Sequence, residues 1–452
     1  MSVTIVGGGI SGLSLAYFFL EKNPSLDLRI LEAKDRPGGK IWSDRADGFL
    51  CESGVNGFLD NKPMTLGLAS KLSLSPLRSN DNAGNRFVYS NGELKMIPGS
   101  PLAFLFSDLL TFCGKTRIFY EIVAPKGTND ESLAVFATRR LGREAYEKLI
   151  DPMASGIYAG DPEKLSLKSC FPRIYELEKK YGSLIRALIR LQKEAKKTGK
   201  KVGPEPGGTL TSFYDGMETI IDALKGYLGD RLITERRITG IEKKGEIYSV
   251  YTDNGESYES GRVVLACPAY ASADITTGFD KDLSGLLKEI PYPAVSVVCL
   301  GFRREDVQNN LNGFGFLVPY REHRRILGTL WDSSIFPNRA PEGSVLLRSM
   351  IGGARASDLA MQDNERLVEI VLEELREIMG INEDPEFYRV YRHGRGIPQY
   401  NVGHGDLLQR IQDRISGYPG LYITGNAYRG ISVNDCIENS HKLSETIFAG
   451  NE

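Results

Sequence analysis

The chain has 452 residues and a formal net charge of -2, so its length suits two or three domains around a substantial core, and its balanced charge argues against nucleic acid as a partner. Six cysteines (Cys51, Cys113, Cys170, Cys267, Cys299, Cys436) without close pairing fit free thiols in a reducing compartment. The four histidines (His323, His393, His404, His441) lack metal-ligand spacing. No run approaches the roughly twenty apolar residues that span a bilayer, and the first strand begins almost at once without a leader ahead of it, so the expected location is the cytoplasm.

Val3 to Ala16 reads as a buried strand that passes through a glycine turn into a helix, the opening of a dinucleotide-binding fold. Gly7 suits the tight bend, Gly9 the approach of a pyrophosphate, and Gly12 close packing of helix on strand, which Ala16 extends by a turn. A second strand, Leu26 to Leu31, ends at Glu32, where a carboxylate is placed to bind ribose hydroxyls. Next comes a second glycine turn, Ala33-Lys34-Asp35-Arg36-Pro37-Gly38-Gly39-Lys40. Such a turn after the ribose acid resembles the FAD-binding start of the amine oxidase and phytoene desaturase superfamily.

The glycine-rich segment Glu52 to Phe58 leads out of the nucleotide region. Arg86 to Ile97 then carries two alternating runs around Asn91-Gly92, a strong hairpin signal. Apolar residues at three- and four-residue intervals predict helices over Leu102 to Phe112, Leu133 to Leu141 and Leu184 to Lys197. The first is rich in Leu and Phe, with Phe104, Leu105, Phe106, Leu109, Leu110 and Phe112 following Leu102. The third begins a basic stretch of Arg186, Arg190, Lys193, Lys196, Lys197, Lys200 and Lys201, and the combination suits a monotopic contact with anionic lipid. Gly203 to Gly208 is too rich in breakers to continue a helix. A helix from Asp215-Gly216-Met217 through Leu224 and strands at Arg237 to Glu242, Ile247 to Thr252 and Arg262 to Ala266 follow. Runs at Ala294 to Phe302, Gly315 to Val318, Ile326 to Trp331 and Val345 to Ile351 predict an antiparallel sheet, and Glu365 to Met379 an amphipathic helix. A strand at Gly420 to Asn426 precedes a last helix opening at Val433 to Glu438, whose N-terminus is suited to stabilising negative charge on a flavin ring. The two chain ends are therefore expected to build one cofactor site.

Taken together, Gly7-Gly8-Gly9-Ile10-Ser11-Gly12-Leu13, Asn85-Arg86-Phe87-Val88-Tyr89, Gly156 to Pro162 with Leu165-Ser166, Gly328-Thr329-Leu330-Trp331 and Val433 to Glu438 resemble the protoporphyrinogen oxidase family along essentially the whole chain. The resemblance implies an α/β plus α+β fold. Its Rossmann-like FAD domain is discontinuous (residues 1-55, 213-270 and 396-452), its antiparallel-sheet substrate domain covers 56-97 and 271-395, and a helical, membrane-associated domain covers 98-212. It implies noncovalent FAD, oxidation of a porphyrinogen to a porphyrin with oxygen as acceptor and peroxide released, and a peripheral position at the inner face of the cell membrane. It leaves room for a homodimer.

To the cofactor the resemblance assigns Gly7, Gly9, Ile10, Ser11, Gly12, Glu32, Ala33, Gly38, Gly39, Lys40, Gly54, Val55, Asn56, Ile238, Gly425, Asn426, Val433, Asn434 and Asp435. To the substrate it assigns Arg86, as the partner of a propionate, Gly156, beside the reacting methylene, and Leu317, Leu330 and Met350 as apolar walls. No catalytic side chain beyond the flavin is expected. Two positions depart from the pattern: Asn56 stands where animal members carry arginine and plant members asparagine, and Asp215 precedes Gly216 where many members have a further glycine. Coproporphyrinogen oxidation, an amine oxidase or desaturase, and a non-catalytic flavin-binding protein are the competing expectations.

Overall fold

The computed structural model describes residues 2–99, 101–127, 129–198 and 207–449, and within the helices it leaves aside the side chains of residues 101, 102, 105 and 195–198. Of the expectations above, Lys200, Lys201, the breaker residues 203–206 and the side chains of Leu102, Leu105, Lys196 and Lys197 lie outside the described residues.

A five-stranded, wholly parallel sheet is assembled from distant parts of the chain, in the order Leu232–Ile233, Asp27–Leu31, Ser2–Val6, Arg262–Leu265, Leu421–Ile423. Helix Ile10–Lys22 and the terminal helix Val433–Ala449 pack side by side on one face, sharing a core with Val3, Ile5, Leu13, Phe19, Ile221 and Ile437. Their contact is fixed by Ser440 Oγ donating to Ser11 O at 2.8 Å and by Phe18 meeting His441 edge-on. Against the other face lie the meander Ile238–Lys244, Ile247–Thr252, Ser257–Ser260 and helices Ala269–Thr276 and Lys281–Lys288.

The second sheet has seven strands in the order Phe387–His393, Val295–Arg303, Ser344–Gly352, Ile326–Leu330, Gly315–Leu317, Arg86–Ser90, Glu93–Met96. It is mixed rather than purely antiparallel, because Gly315–Leu317 runs parallel to Arg86–Val88. The hairpin Arg86–Met96 turns at Asn91 and Gly92 with both residues at positive φ, as its sequence demands. Helix Asn364–Met379, capped by Asp363 and ended by a left-handed Gly380, covers one face of this sheet with Leu367, Ile370, Val371 and Leu375.

The helical part differs from its expectation at one point. A continuous helix over Leu102 to Phe112 is replaced by Pro101–Phe106 and Phe112–Phe119 with bends between them. Leu109 and Leu110 are buried while Phe106, three and four residues before them and so on the same face of any continuous helix, stands 88% exposed, and Phe112 80%. Arg140, fully buried, ties this part together: its Nε donates to Glu178 Oε1 at 2.7 Å and its Nη1 to Ala124 O at 3.1 Å. After the helices the chain returns as strand Leu210–Ser212, paired with Phe58–Leu59 and Leu77–Arg78. Among the described residues no helix is long and apolar enough to cross a membrane.

Candidate functional site

In parallel sheets of this kind ligands gather at the carboxyl ends of the strands, and three chain turns meet there. Gly7 leaves the first strand at φ 111, and a Cβ on it would lie 3.0 Å from the carbonyl of Ala266, which ends the neighbouring strand. Gly12 packs so closely that its Cβ would fall 2.0 Å from Gly7 O. The second glycine turn folds onto the first, with Gly38 N donating to Gly8 O at 2.8 Å and Gly9 bridging to Gly38, and Gly39 sits against Gly9 Cα. Glu32, at the end of the second strand, accepts Gly8 N–H at 2.7 Å and Lys34 N–H at 2.9 Å. Each carboxylate oxygen keeps a further lone pair for a hydroxyl donor.

The remaining residues assigned to the cofactor lie around this point. Ile10, Val55 and Val433 pack into one core, while Ile238 is buried with Val6 and Leu31 in the core on the other face of the sheet. Gly54 lies against Lys40 O. Gly425, at φ 127, follows a strand continued by Thr424 N donating to Leu265 O, and Asn426 O accepts the Tyr400 hydroxyl. The terminal helix begins in a reciprocal cap: Asp435 N donates to Ser432 Oγ and Asp435 Oδ2 accepts both Ser432 N–H and O–H.

What these residues leave free tests whether a dinucleotide fits. A Cβ on Gly9 or on Gly425 would meet nothing within 4 Å, in contrast to Gly7 and Gly12 beside them. Ser53 Oγ, Asn56 Oδ1 and Asn434 Oδ1 are buried without a protein partner, a costly state unless a ligand supplies donors. The two glycine turns, the helix N-terminus and these acceptors fit a flavin dinucleotide.

On the seven-stranded sheet, register aligns the residues assigned to the substrate. Arg86, Gly315, Leu330 and Arg348 form one row across it, and Leu317, Gly328 and Met350 the next. Both rows face away from helix Asn364–Met379, since the alternate residues Phe316, Val318, Leu347 and Ile351 fill that core. Gly156, on helix Asp151–Tyr158, closes over this face: a Cβ on it would come 2.6 Å from Leu317 Cδ2. All five residues thus share one surface. Arg86 lies exposed at its rim, its guanidinium 5.6 Å from the Phe314 ring.

The sequence reading missed a buried charge cluster between the two sheets. Arg348 donates to Asp332 Oδ2 at 2.8 Å and to the carbonyls of Glu52 and Gly54 at 3.3 and 3.1 Å, with both side chains almost wholly buried. Asp332 also receives Asn56 Nδ2 at 3.4 Å, which leaves Asn56 Oδ1 free. Burial raises the Asp332 pKa, opposed by the Arg348 charge. Glu52 is pushed up to about 7 by burial, against the N–H of Met217, the hydroxyl of Ser43 and the charges of Arg339 and Arg348. Lys40, donating to Gly396 O, is lowered to about 8 by burial and then by Lys34. The one sequence signal was an arginine inside the otherwise buried run Val345-Leu346-Leu347-Arg348-Ser349.

Similarity to known proteins shows the family and the fold. The profile of the family described as flavin containing amine oxidoreductase matches residues 10–447. The chain is 33% identical to a coproporphyrinogen III oxidase of Bacillus subtilis (strain 168), covering 96% of this chain and 95% of that protein. It is 34% identical to protoporphyrinogen oxidase 1, chloroplastic, of Arabidopsis thaliana, covering 97% and 86%. Among solved structures, a protein of Exiguobacterium sp. 255-15 superposes with a TM-score of 0.84 at 28% identity over 99% of this chain and 98% of that one. Cyclohexylamine oxidase from Brevibacterium oxydans IH-35A shares the fold alone, with a TM-score of 0.72 at 15% identity over 99% of each chain.

Proposed function

Because the chain belongs to the flavin containing amine oxidoreductase family, we propose that it is an FAD-dependent protoporphyrinogen oxidase of heme biosynthesis. The observation that carries this reading is the meeting of the two glycine turns and the terminal helix beside a sheet face that holds Arg86, Leu317, Leu330 and Met350 under Gly156. When bound noncovalently, FAD supplies a two-electron acceptor for hydride. The protein's part is to hold and orient. Gly9, Gly38 and Gly39 leave room for the diphosphate, Glu32 receives the ribose hydroxyls, and the helix beginning at Val433, Asn434 and Asp435 favours negative charge at the ring. Arg86 pairs with a propionate through its planar guanidinium, Leu317, Leu330 and Met350 supply flat apolar contact, and Gly156 keeps side chains from the reacting methylene. Oxygen takes the electrons onward in three rounds, releasing hydrogen peroxide.

The division of labour along the chain follows the sequence reading: residues 1-55, 213-270 and 396-452 for the cofactor, 56-97 and 271-395 for the substrate, and 98-212 for attachment. The exposed Phe106, Phe112, Phe119 and Val123 lie in the same helical part as the groove of about 380 Å³ lined by Lys180, Arg186, Arg190 and Lys193, and together they suit the surface of an anionic membrane on its cytoplasmic side. Lipid flotation checks this, and failure to float with anionic vesicles contradicts it.

Coproporphyrinogen III is the second reading, favoured by the similarity to the Bacillus subtilis enzyme. Its four propionates need cationic partners beyond Arg86, and Arg348 on the same face is already paired with Asp332. Turnover of the two anaerobically reduced substrates by the purified protein separates the readings. The expected result is a higher kcat/KM for the dicarboxylate, and a clear preference for the tetracarboxylate overturns it.

A further inference from the structure

Helix Asp151–Tyr158 holds Gly156 over Leu317; Gln399 Nε2 donates to Tyr158 O at its C-terminal end, and one side chain outside it, Arg355, reaches carboxylates at both ends. Arg355 follows strand Ser344–Gly352, which carries Met350. Its Nη1 meets Asp151 Oδ1 at 2.5 Å, at the first residue of the helix, and its Nε meets Asp161 Oδ1 at 2.9 Å, just beyond the last. The other oxygen of Asp151 accepts Tyr320 N–H at 2.9 Å, so the same carboxylate also holds the turn that follows Leu317. The Tyr320 ring lies beneath the guanidinium at 4.4 Å, and Ala354 N donates to Ala159 O at 2.8 Å, where a left-handed Ala159 stops the helix. Asp151 is 3% exposed, so the carboxylate at the start of the helix is held away from solvent. A π turn, Tyr146–Ile150, feeds the helix into it, a feature found often at functional sites.

We propose that Arg355 is a positioning residue that sets the width of the substrate slot. It clasps both ends of the Gly156 helix and joins them to the strand bearing Met350 and the turn after Leu317, so three walls share one anchor. A planar fork that reaches two carboxylates at once does what the single point charge of lysine does not. Loosening it lets the helix lift or tilt, which alters contact with a flat ligand while leaving the glycine turns of the cofactor site untouched.

This proposal rests on the porphyrinogen reading, and the test separates the two. Arg355→Lys and Asp161→Asn are purified with the wild type, and flavin content, melting temperature, kcat and KM for protoporphyrinogen are measured. Arg355→Lys should raise KM about tenfold with kcat within about twofold and flavin content unchanged, and Asp161→Asn, which removes the charge from the clasp at one end of the helix only, should raise KM about threefold. If Arg355→Lys does not fold, Asp161→Asn decides alone. Unchanged KM in the variants, or flavin content and kcat falling together with stability, overturns the proposal. A wild type that oxidises no porphyrinogen overturns the functional reading instead.

Discussion

At the carboxyl edge of the parallel sheet the groups proposed to meet the cofactor are mostly main-chain groups, whereas those proposed to meet the substrate on the seven-stranded sheet are side chains aligned by register. The first region is shaped by what is missing: no Cβ fits at Gly12, and none is present to fill the space beside Gly9. The second is shaped by charges that neutralise one another, Arg348 with Asp332 and Arg355 with Asp151 and Asp161. Backbone sites tolerate little change of residue type but need few partners. Side-chain sites depend on residues hundreds of positions apart arriving together.

Breaking a pair in the second region should have the largest effect on stability. Arg348→Met leaves Asp332 buried and unpaired and removes donors to the Glu52 and Gly54 carbonyls, which should cost about 3–5 kcal/mol. Urea unfolding checks it, and adding Asp332→Leu should recover much of the loss if charge imbalance is the cause. In the first region Gly12→Ala forces a methyl onto Gly7 O and should cost about 3 kcal/mol. Gly9→Ala should fold with little change in melting temperature, because its methyl enters open space, yet bind FAD more weakly if that space is where the proposed cofactor lies. Equal flavin affinity in Gly9→Ala and wild type would erase the contrast between the two positions.

Between the sheets, Glu52 gives a test in pH. Its folded pKa of about 7 lies above the unfolded 4.5, so between these values the folded chain retains a proton that the unfolded chain has released. Stability therefore falls as pH rises through that window. Glu52→Gln should flatten this decline, a difference of roughly 2–3 kcal/mol at pH 8 relative to pH 5, read from melts at both pH values. The smallest effect is expected at the rim: Arg86→Ala should lower kcat/KM about tenfold through KM and leave flavin content intact. Loss of flavin with substrate use unaltered would place Arg86 in the other region.

The contrast also explains what was legible in the sequence. Gly7, Asn91 and Gly92 adopt positive φ, a conformation few residue types accept, so their identities announce their geometry. Strand Phe387–His393 gave no such sign, because Arg389, Arg392 and Tyr388 interrupt any alternation and only pairing with Val295–Arg303 makes it a strand. Helix Leu102 to Phe112 was misread since an apolar run does not reveal that Leu109 and Leu110 turn inward. Arg348 and Arg355 were passed over because their partners, Asp332, Asp151 and Asp161, are brought to them only by the tertiary fold.

If the two chain ends hold one flavin against the Arg86–Met350 face of the second sheet, a porphyrinogen bound on that face reduces that flavin directly. Mixing the oxidised, FAD-loaded protein with protoporphyrinogen under strictly anaerobic conditions tests it most directly. The visible flavin band should bleach as porphyrin fluorescence appears, and return when oxygen is admitted. A protein that takes up no FAD, or a flavin band that stays unchanged in the presence of the porphyrinogen, would contradict the account.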